Sequence, residues 1–268
     1  MPETPRALAD RAARAAGVDV VEVGTPADAA ATVALFSATW GEGRGADTST
    51  LQAIAHAGNP VLLARRGELV LGALFSFLGW DDGLHAHSHM TAVSPTVRSA
   101  GVGFALKLAQ RAQCLEHGIG EVRWTYDPLI RRNARFNLWK LGATVRAFRP
   151  DFYGVLDDAI NGTDRSDRFE VSWRLDSPDV EQTVPTAALE QTIAGRYRRE
   201  PSDRADDVTL PEDFESLRRT DPAAASRLRE ASRRRFADAH HTGAIVRFTG
   251  TGYVFDRADV AATEEETT

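Results

Sequence analysis

The sequence predicts an α/β fold of the α+β kind, in which a mixed central sheet is flanked by helices and followed by a small C-terminal α/β extension. Short β-branched or apolar runs alternate with helical patterns along the first part of the chain, as expected for a sheet covered by helices. With 268 residues, 43% of them hydrophobic and 26% charged, the chain has room for one domain and an appendage. A polar stretch after residue 178 separates the two.

The first elements alternate between helix and strand. Residues 7–16 have a helical composition, and residues 18–23 are rich in valine, which favours a strand. Residues 27–40 carry apolar side chains at helical spacing. Residues 48–57 form a second short helix that ends at Gly58.

An antiparallel hairpin and a β-α-β unit follow. Residues 61–64 and 69–78 flank a short, Gly-containing connection that is typical of a hairpin. Residues 85–93 form the next strand. An amphipathic helix over 101–117 then leads into a strand over 121–126.

Later elements complete a core that we place at residues 1–178. Residues 133–141 are predicted as a short helix, and residues 145–153 and 169–175 as strands. Residues 179–207 are a linker or a surface excursion, in which 187–194 could form a helix.

A small module over residues 208–260 ends the folded chain, and residues 261–268 form a disordered, glutamate-rich tail. Asp221 is a suitable N-cap for a long helix because Pro222 follows it at the first helical position. The predicted elements of the module are helices over 213–219 and 222–239 and a hairpin of 244–248 with 253–255.

Charge, cysteine content and the N-terminal residues limit the classes of function. The net charge of −6 disfavours nucleic acid and anionic membranes as partners. The single cysteine, Cys114, excludes an intrachain disulfide and multi-cysteine zinc sites. The first residues resemble neither a signal peptide nor a transit peptide, and the apolar run 69–80 is about half as long as a bilayer crossing requires. We therefore expect a cytoplasmic protein.

The segment after the strand 85–93 carries the clearest chemical signal. Small residues leave backbone N–H groups uncovered where a long helix begins, and the helix dipole there favours a phosphate group. Neither a Rossmann fingerprint nor a P-loop is present, and a tight turn that only starts a helix is the alternative. The segment consists of Arg98, Ser99, Ala100, Gly101, Val102, Gly103 and Phe104.

Arg98, Gly101 and Gly103 resemble the signature Arg/Gln-x-x-Gly-x-Gly/Ala of the GNAT superfamily of acyl-CoA-dependent N-acyltransferases. The resemblance extends to the order of elements over residues 18–175, and it is closest to a bacterial subgroup described as predicted acetyltransferases. Further similar segments are Asn133-Ala134, Lys140-Leu141-Gly142, 124–128 and 167–169.

The resemblance implies acetyl-CoA or another acyl-CoA as co-substrate, with no metal. It implies that residues 99–104 hold the pyrophosphate of coenzyme A. The backbone of Thr91, Ala92 and Val93 would pair with the pantetheine arm like a further strand and supply donors for the thioester oxygen. Asn133 either contacts the coenzyme or serves only as the N-cap of its short helix.

His85, His87 and His89 alternate, so in a strand they project from one face. A metal site, a structural polar face and a proton-transfer site are all compatible with this pattern. A metal site needs more ligands, and residues 90–97 contain no acid and no histidine. Amine acylation needs a base that works near neutral pH, which suits histidine. Arylalkylamine acetyltransferases of the superfamily carry two histidines at the positions of His87 and His89, so the resemblance implies a base or proton relay there.

The general acid stays unassigned. Many superfamily members place a tyrosine where this chain has Leu138. Tyr126 and Tyr153 are interpreted as packing or substrate-wall residues. A coenzyme A thiolate can leave without a protein acid, because a thiol is much more acidic than an alcohol. Cys114 lies in the long helix without an obvious base, so no covalent enzyme intermediate is expected.

The function predicted from the sequence is transfer of an acetyl group from acetyl-CoA to a primary amine, by direct attack in a ternary complex. One alternative is succinyl transfer to an amino acid, which the arginines near residue 131 would suit. A second is an acyl-CoA-binding module without catalysis. The expected partner is a small-molecule amine or amino acid, and the C-terminal module is a candidate contact for a homodimer.

Overall fold

A computed structural model describes residues 3–97, 100–154, 164–189 and 208–257, with only the backbone at 185–189. The described residues form two compact units. The first unit contains the described residues up to 125 and residues 172–189, and the second contains 126–154, 164–171 and 208–257. The predicted boundaries at 178 and 207 stay predictions, and the predicted tail at 261–268 lies outside the described residues.

The described ranges contain ten strands and eight α-helices. The strands are β1 (Asp19–Glu22), β2 (Val61–Arg66), β3 (Leu69–Gly79), β4 (His85–Val93), β5 (Glu121–Tyr126), β6 (Thr144–Arg149), β7 (Arg168–Arg174), β8 (Val208–Thr209), β9 (Ile245–Phe248) and β10 (Gly252–Asp256). The helices are α1 (Pro5–Ala16), α2 (Pro26–Trp40), α3 (Thr48–His56), α4 (Val102–Glu116), α5 (Arg131–Ala134), α6 (Pro178–Leu189), α7 (Phe214–Thr220) and α8 (Pro222–His241).

The sheet of the first unit is mixed. Its strands lie in the order β1, β2, β3, β4 and β5, followed by the last residues of β7. Strands β1 to β4 pair antiparallel with their neighbours, and β4 pairs parallel with β5. The predicted fold class, a mixed sheet flanked by helices, is confirmed.

Helices cover both faces of this sheet. On one face α2 and α3 pack on β2, β3 and β4 through a core that includes Phe36, Leu51 and Phe75. On the other face α4 lies close to β3 at Gly72. A Cβ atom at Gly72 would stand 2.8 Å from Val102 Cγ1 and 3.0 Å from Leu106 Cδ1, so only glycine permits this approach.

Helix α4 is buried around most of its circumference, which differs from the predicted amphipathic helix. Its polar residues Lys107, Gln110 and Arg111 are buried together with its apolar ones. The reason is that α1 packs against α4 while Lys107 faces the sheet, where its amino group contacts β4. Arg6 of α1 forms a bidentate ion pair with Glu116 at the end of α4.

The second unit contains its own small antiparallel sheet, in which β10 lies between β8 and β9. Strand β6 neighbours the first residues of β7. An aromatic cluster forms the interior, with Phe236 4.7 Å from Phe169 and 5.5 Å from Tyr253 between ring centroids. Asp221 caps α8 by accepting a hydrogen bond from the Ala224 N–H, as predicted from the sequence.

Most predicted elements are present, with three corrections. In the stretch predicted as a linker, where 187–194 could form a helix, α6 already begins at Pro178. The strand predicted at 145–153 ends at Arg149, because the chain turns there and Asp151 adopts a positive φ of 48°. The helix predicted at 133–141 begins at Arg131 and continues as a π-helical turn over Arg135–Lys140. No helix within the described ranges combines the length and apolar character needed to cross a membrane.

Candidate functional site

Strand β4 contains a β-bulge at the histidines. Its register with β3 passes from Met90 opposite Phe75 to Ser88 opposite Ser76, so His89 is the extra residue. Partners in an antiparallel pair share one face of the sheet. The bulge therefore places His89 on the same face as its neighbour Met90, which packs in the core under α2 and α3.

Two phenylalanines of β3 form a wall beside His87 and His89. Phe77 lies 5.2 Å from His87, and Phe75 lies 5.2 Å from His89, between ring centroids. The two imidazole rings are 6.1 Å apart. The side chain of His89 is exposed, and desolvation by its neighbours lowers its pKa below the usual value of 6.5, so this imidazole is neutral at pH 7. The alternation of Phe75 and Phe77 was the sequence signal that could have identified this wall.

His85 makes different contacts from those of His87 and His89. It is buried, its Nδ1 atom is 2.8 Å from the Gly83 carbonyl oxygen, and its ring occupies the space above Gly79. These contacts support a structural role. Among the described residues, no group of three or more His, Cys, Asp or Glu side chains is arranged to hold a metal ion.

Strands β4 and β5 are paired only at the start of β4, within the described residues. Their parallel register runs over Ala86 with Val122 and His87 with Arg123. On the other edge of β4, the Ser94 N–H donates to the Leu71 carbonyl oxygen. Backbone N–H groups point to alternate sides along a strand. The N–H groups of Ala92 and Met90 therefore also point toward β3.

It follows that the N–H groups of Thr91 and Val93 point away from β3. They lie on the edge of β4 beyond the last residues paired with β5. Among the described residues, a stretch of β4 backbone is thus left without a strand partner on that side, where an extended ligand could pair with it. This stretch contains the three residues predicted to bind pantetheine, Thr91, Ala92 and Val93.

Helix α4 begins directly beyond this edge. Gly101 precedes the helix with φ 88° and ψ −4°, a left-handed conformation that favours glycine, and no side chain among the described residues caps the helix. A Cβ atom on Gly103 would lie 3.4 Å from Val93 Cγ2, so the first turn of the helix is beside the end of β4. Ala100 is exposed, and Val102 and Phe104 are buried. Arg98 and Ser99 lie outside the described residues.

Cys114 is buried in α4, and burial raises its pKa to about 12. A thiol with this pKa is protonated at neutral pH and is a weak nucleophile. That no acyl group is carried on cysteine stays a prediction.

Asn133 belongs to the second unit, and one prediction about it is wrong. Helix α5 begins at Arg131 after Ile130, so Asn133 is the third helical residue and not the N-cap. Its N–H donates to the Ile130 carbonyl oxygen at 2.9 Å. The remaining hypothesis, that its amide contacts a coenzyme, stays a prediction.

Tyr126, Arg131 and Arg132 all form hydrogen bonds or ion pairs within the second unit. The Tyr126 hydroxyl lies 3.2 Å from the Tyr253 hydroxyl, and burial raises the pKa of Tyr126 far above its usual value. Arg131 donates to the Gly250 carbonyl oxygen, and Arg132 forms a bidentate ion pair with Glu215. These contacts give Tyr126 a packing role and occupy two of the three arginines, Arg131, Arg132 and Arg135, that would have favoured an acidic substrate.

Neither a protein-family model nor a curated protein matches the chain. Solved structures with a similar fold include Naa50 of Arabidopsis thaliana in complex with the bisubstrate analogue CoA-Ac-MVNAL (18% identity, TM-score 0.48, 58% of this chain and 97% of that one). The ribosomal-protein-S18-alanine N-acetyltransferase of Escherichia coli matches with 14% identity and a TM-score of 0.47, over 60% of this chain and 95% of that one.

An acetyltransferase of the GNAT family from Streptococcus pneumoniae matches with 13% identity and a TM-score of 0.47, over 58% of this chain and 98% of that one. The identities of these three structures are below 25% and their TM-scores below 0.5. Likenesses of this size concern the fold alone.

Proposed function

We propose that this protein is an acyl-CoA-dependent N-acyltransferase that transfers an acetyl group from acetyl-CoA to a primary amine in a ternary complex. One observation carries the proposal: β4 separates from β5 after His87, and its open edge leads directly to the uncapped start of α4. An extended ligand with an anionic end matches that arrangement, and the pantetheine and pyrophosphate of coenzyme A have this form.

The backbone supplies most of the binding. The N–H groups of Thr91 and Val93 would pair with the amides of the pantetheine arm, as a strand pairs with its neighbour. The N–H groups at the start of α4 and the positive end of its dipole would hold the pyrophosphate. Arg98 is assigned to the same phosphates from the sequence, and Asn133 to the coenzyme by the superfamily resemblance.

His87 and His89 are proposed as the base or proton relay. The amine nitrogen attacks the thioester carbonyl carbon, the carbon–sulfur bond breaks, and the thiolate leaves with its electron pair. The nitrogen then loses a proton, which His89 accepts directly or through water and passes to solvent. The lowered pKa of His89 keeps the imidazole neutral at pH 7, and therefore able to accept that proton.

Replacing both His87 and His89 with Gln tests this assignment. We expect kcat to fall by about 10²–10⁴-fold, with little change in coenzyme A affinity. In the wild type, kcat/KM should fall as the pH drops through the His89 pKa, which lies below 6.5, because the imidazole becomes protonated. Steady-state rates over pH 5–9 measure both effects, and His56→Gln on the exposed side of α3 is the control. A double variant with an unchanged pH–rate profile would exclude the role.

Coenzyme binding itself is tested by calorimetry with coenzyme A and acetyl-CoA. Ala100 is exposed just before α4, so Ala100→Glu adds a negative charge at the anion site without disturbing the core. We expect the dissociation constant of coenzyme A to rise at least about tenfold, since the carboxylate repels the pyrophosphate. Ala100→Gln, which has the same size and no charge, should change it by less than about twofold. A wild-type protein that binds neither coenzyme, or equal weakening by both variants, would contradict the proposal.

A second candidate function is an acyl-CoA-binding module without catalysis. It is supported by Leu138, which stands where many members of the superfamily carry a tyrosine. The two candidates differ in turnover. Release of free thiol from acetyl-CoA in the presence of a panel of amines supports the enzyme. Tight coenzyme binding without thiol release on any amine supports the binding module.

A further inference from the structure

Lys107 is a buried lysine of α4 that the proposed chemistry does not use. Only 3% of its surface is exposed. Its Nζ atom lies 2.8 Å from Ser88 Oγ and 3.1 Å from Gln110 Oε1, and 3.9 Å from the centre of the Trp124 ring. Among the described residues, its polar contacts are therefore a hydroxyl and an amide, and no carboxylate is paired with it.

These contacts coincide with the point at which β4 and β5 separate. The last pair in their parallel register is His87 with Arg123. The next pair in the same register would be Ser88 with Trp124, and these are the two strand residues that the Lys107 amino group contacts. The amino group thus lies between the side chains of the first open pair, on the α4 side of the sheet.

Both sides of this contact are firmly held. Ser88 is buried and lies in β4 immediately before the bulge residue His89. Trp124 is buried on β5 and packs edge-on against Trp173 of β7, with 6.1 Å between ring centroids. A group that binds Ser88 and covers Trp124 therefore fixes how the two strands diverge.

We propose that Lys107 is a positioning residue that holds β4 and β5 apart at Ser88 and Trp124, and so sets where the slot for the pantetheine arm begins. The inference rests on the proposed function only for the identity of the ligand. Lys107 acts through the two strands and does not touch the reacting atoms. Without its amino group, the β4–β5 register would extend toward Thr91 and close the slot.

The first measurement does not depend on any ligand. Lys107→Met keeps a long, unbranched side chain and removes the amino group. In the wild type, the Thr91 and Val93 amides should exchange hydrogen rapidly, because they face the open edge. In Lys107→Met we expect their exchange to slow by at least about tenfold as the strands pair. Unchanged exchange of both amides in a folded Lys107→Met variant would overturn the proposal.

The second measurement is coenzyme A affinity and steady-state kinetics on the same variants. We expect Lys107→Met to raise the coenzyme A dissociation constant and the KM for acetyl-CoA about tenfold, with the KM for the amine unchanged. Ser88→Ala should raise the dissociation constant and the KM for acetyl-CoA by a smaller factor. This variant tests the proposal if Lys107→Met folds poorly. Gln113→Met, a buried polar-to-apolar change on the same helix away from the strands' divergence, is the matched control and should leave affinity unchanged.

The two proposals fail in different ways. A wild-type protein without affinity for coenzyme A removes the proposed function but leaves the exchange result to decide the role of Lys107. Coenzyme binding with equal affinity in wild type and Lys107→Met overturns the positioning role and leaves the acyltransferase proposal intact. A loss of affinity of the same size in Gln113→Met would also overturn it, since the effect would then belong to α4 in general.

Discussion

The most deeply buried cation among the described residues of each unit has a different environment in the two units. In the second unit, Arg229 is 2% exposed and forms a bidentate ion pair with Asp127, with both distances 2.7 Å. A second carboxylate, Asp164, lies 2.8 Å from the same guanidinium. In the first unit, Lys107 is equally buried but contacts a hydroxyl, an amide and a tryptophan ring.

The electrostatics of the two sites diverge accordingly. Burial alone would lower the pKa of Arg229, but its two carboxylates raise it above its usual value. Burial would likewise raise the pKa of Asp127, and the charge of Arg229 holds it below its usual value instead. Burial lowers the pKa of Lys107 to about 7, and no carboxylate of the described residues is paired with it to oppose this.

This difference separates a structural ion pair from an amine that is retained at an energetic cost. A buried pair whose charges compensate each other holds its unit together, and removing one partner leaves the other charge stranded. A buried amine without a carboxylate destabilises the fold whenever it is protonated. The first arrangement is explained by stability, whereas the second calls for a role such as the one proposed at the divergence of β4 and β5.

The largest change in stability should come from breaking the Asp127–Arg229 ion pair. Arg229→Met leaves Asp127 buried and charged, and we expect it to reduce the free energy of unfolding by about 3–5 kcal/mol. In a chain of this size the melting temperature should fall by roughly 6–20 °C, which calorimetry would measure. Arg227→Met, on the exposed side of the same helix, should change the stability by less than about 0.5 kcal/mol. A similar loss in both variants would mean that the ion pair is not what stabilises this unit.

A smaller change in stability, of opposite sign, is expected when Lys107 is replaced. Lys107→Met should be more stable than the wild type by about 1–4 kcal/mol at pH 6, because the wild type then buries a charged ammonium. The folded-state pKa of Lys107 is about 7 and its usual value is 10.5, so between these values only the unfolded chain keeps the proton. The stability of the wild type relative to the variant should therefore rise with pH through that window.

Urea unfolding of the wild type and Lys107→Met at pH 6 and pH 9 measures this change. Taking the difference between the two proteins removes the titration of all other groups that they share. Arg229→Met, compared with the wild type in the same way, should show no such trend, because arginine stays charged over this range. A difference between wild type and Lys107→Met that is the same at both pH values would contradict the pKa assigned to Lys107.

Local signals in the sequence predicted much of the fold because they act over a few residues. Asp221 followed by Pro222 identified the start of α8, since a cap and a first-turn proline need only their immediate neighbours. The hairpin of β2 and β3 was predicted from a short connection between two apolar runs. The segment from Ala100 to Gly103 was singled out correctly as the start of a long helix.

Features that depend on distant neighbours were missed. The polar residues of α4 suggested a solvent-facing side, but hydropathy does not reveal that α1 packs against this helix or that Lys107 faces β4 and β5. The bulge at His89 contains no glycine or proline to mark it. Asn133 is a common N-cap residue type, whereas the structure begins α5 after Ile130. The contacts of Lys107 join three elements that are far apart in sequence, so no local pattern could have indicated them.

The Asp127–Arg229 pair also has a consequence for synthesis of the chain. The two residues are separated by 102 positions, and Tyr126 is separated from Tyr253 by 127. At about 5–20 residues per second, Asp127 is added to the chain roughly 5–20 s before its arginine. During that interval the residues that will form the interior of the second unit have no partners to bury them. Ribosome-bound chains stalled before residue 229 should therefore be the forms of this protein that need chaperones most.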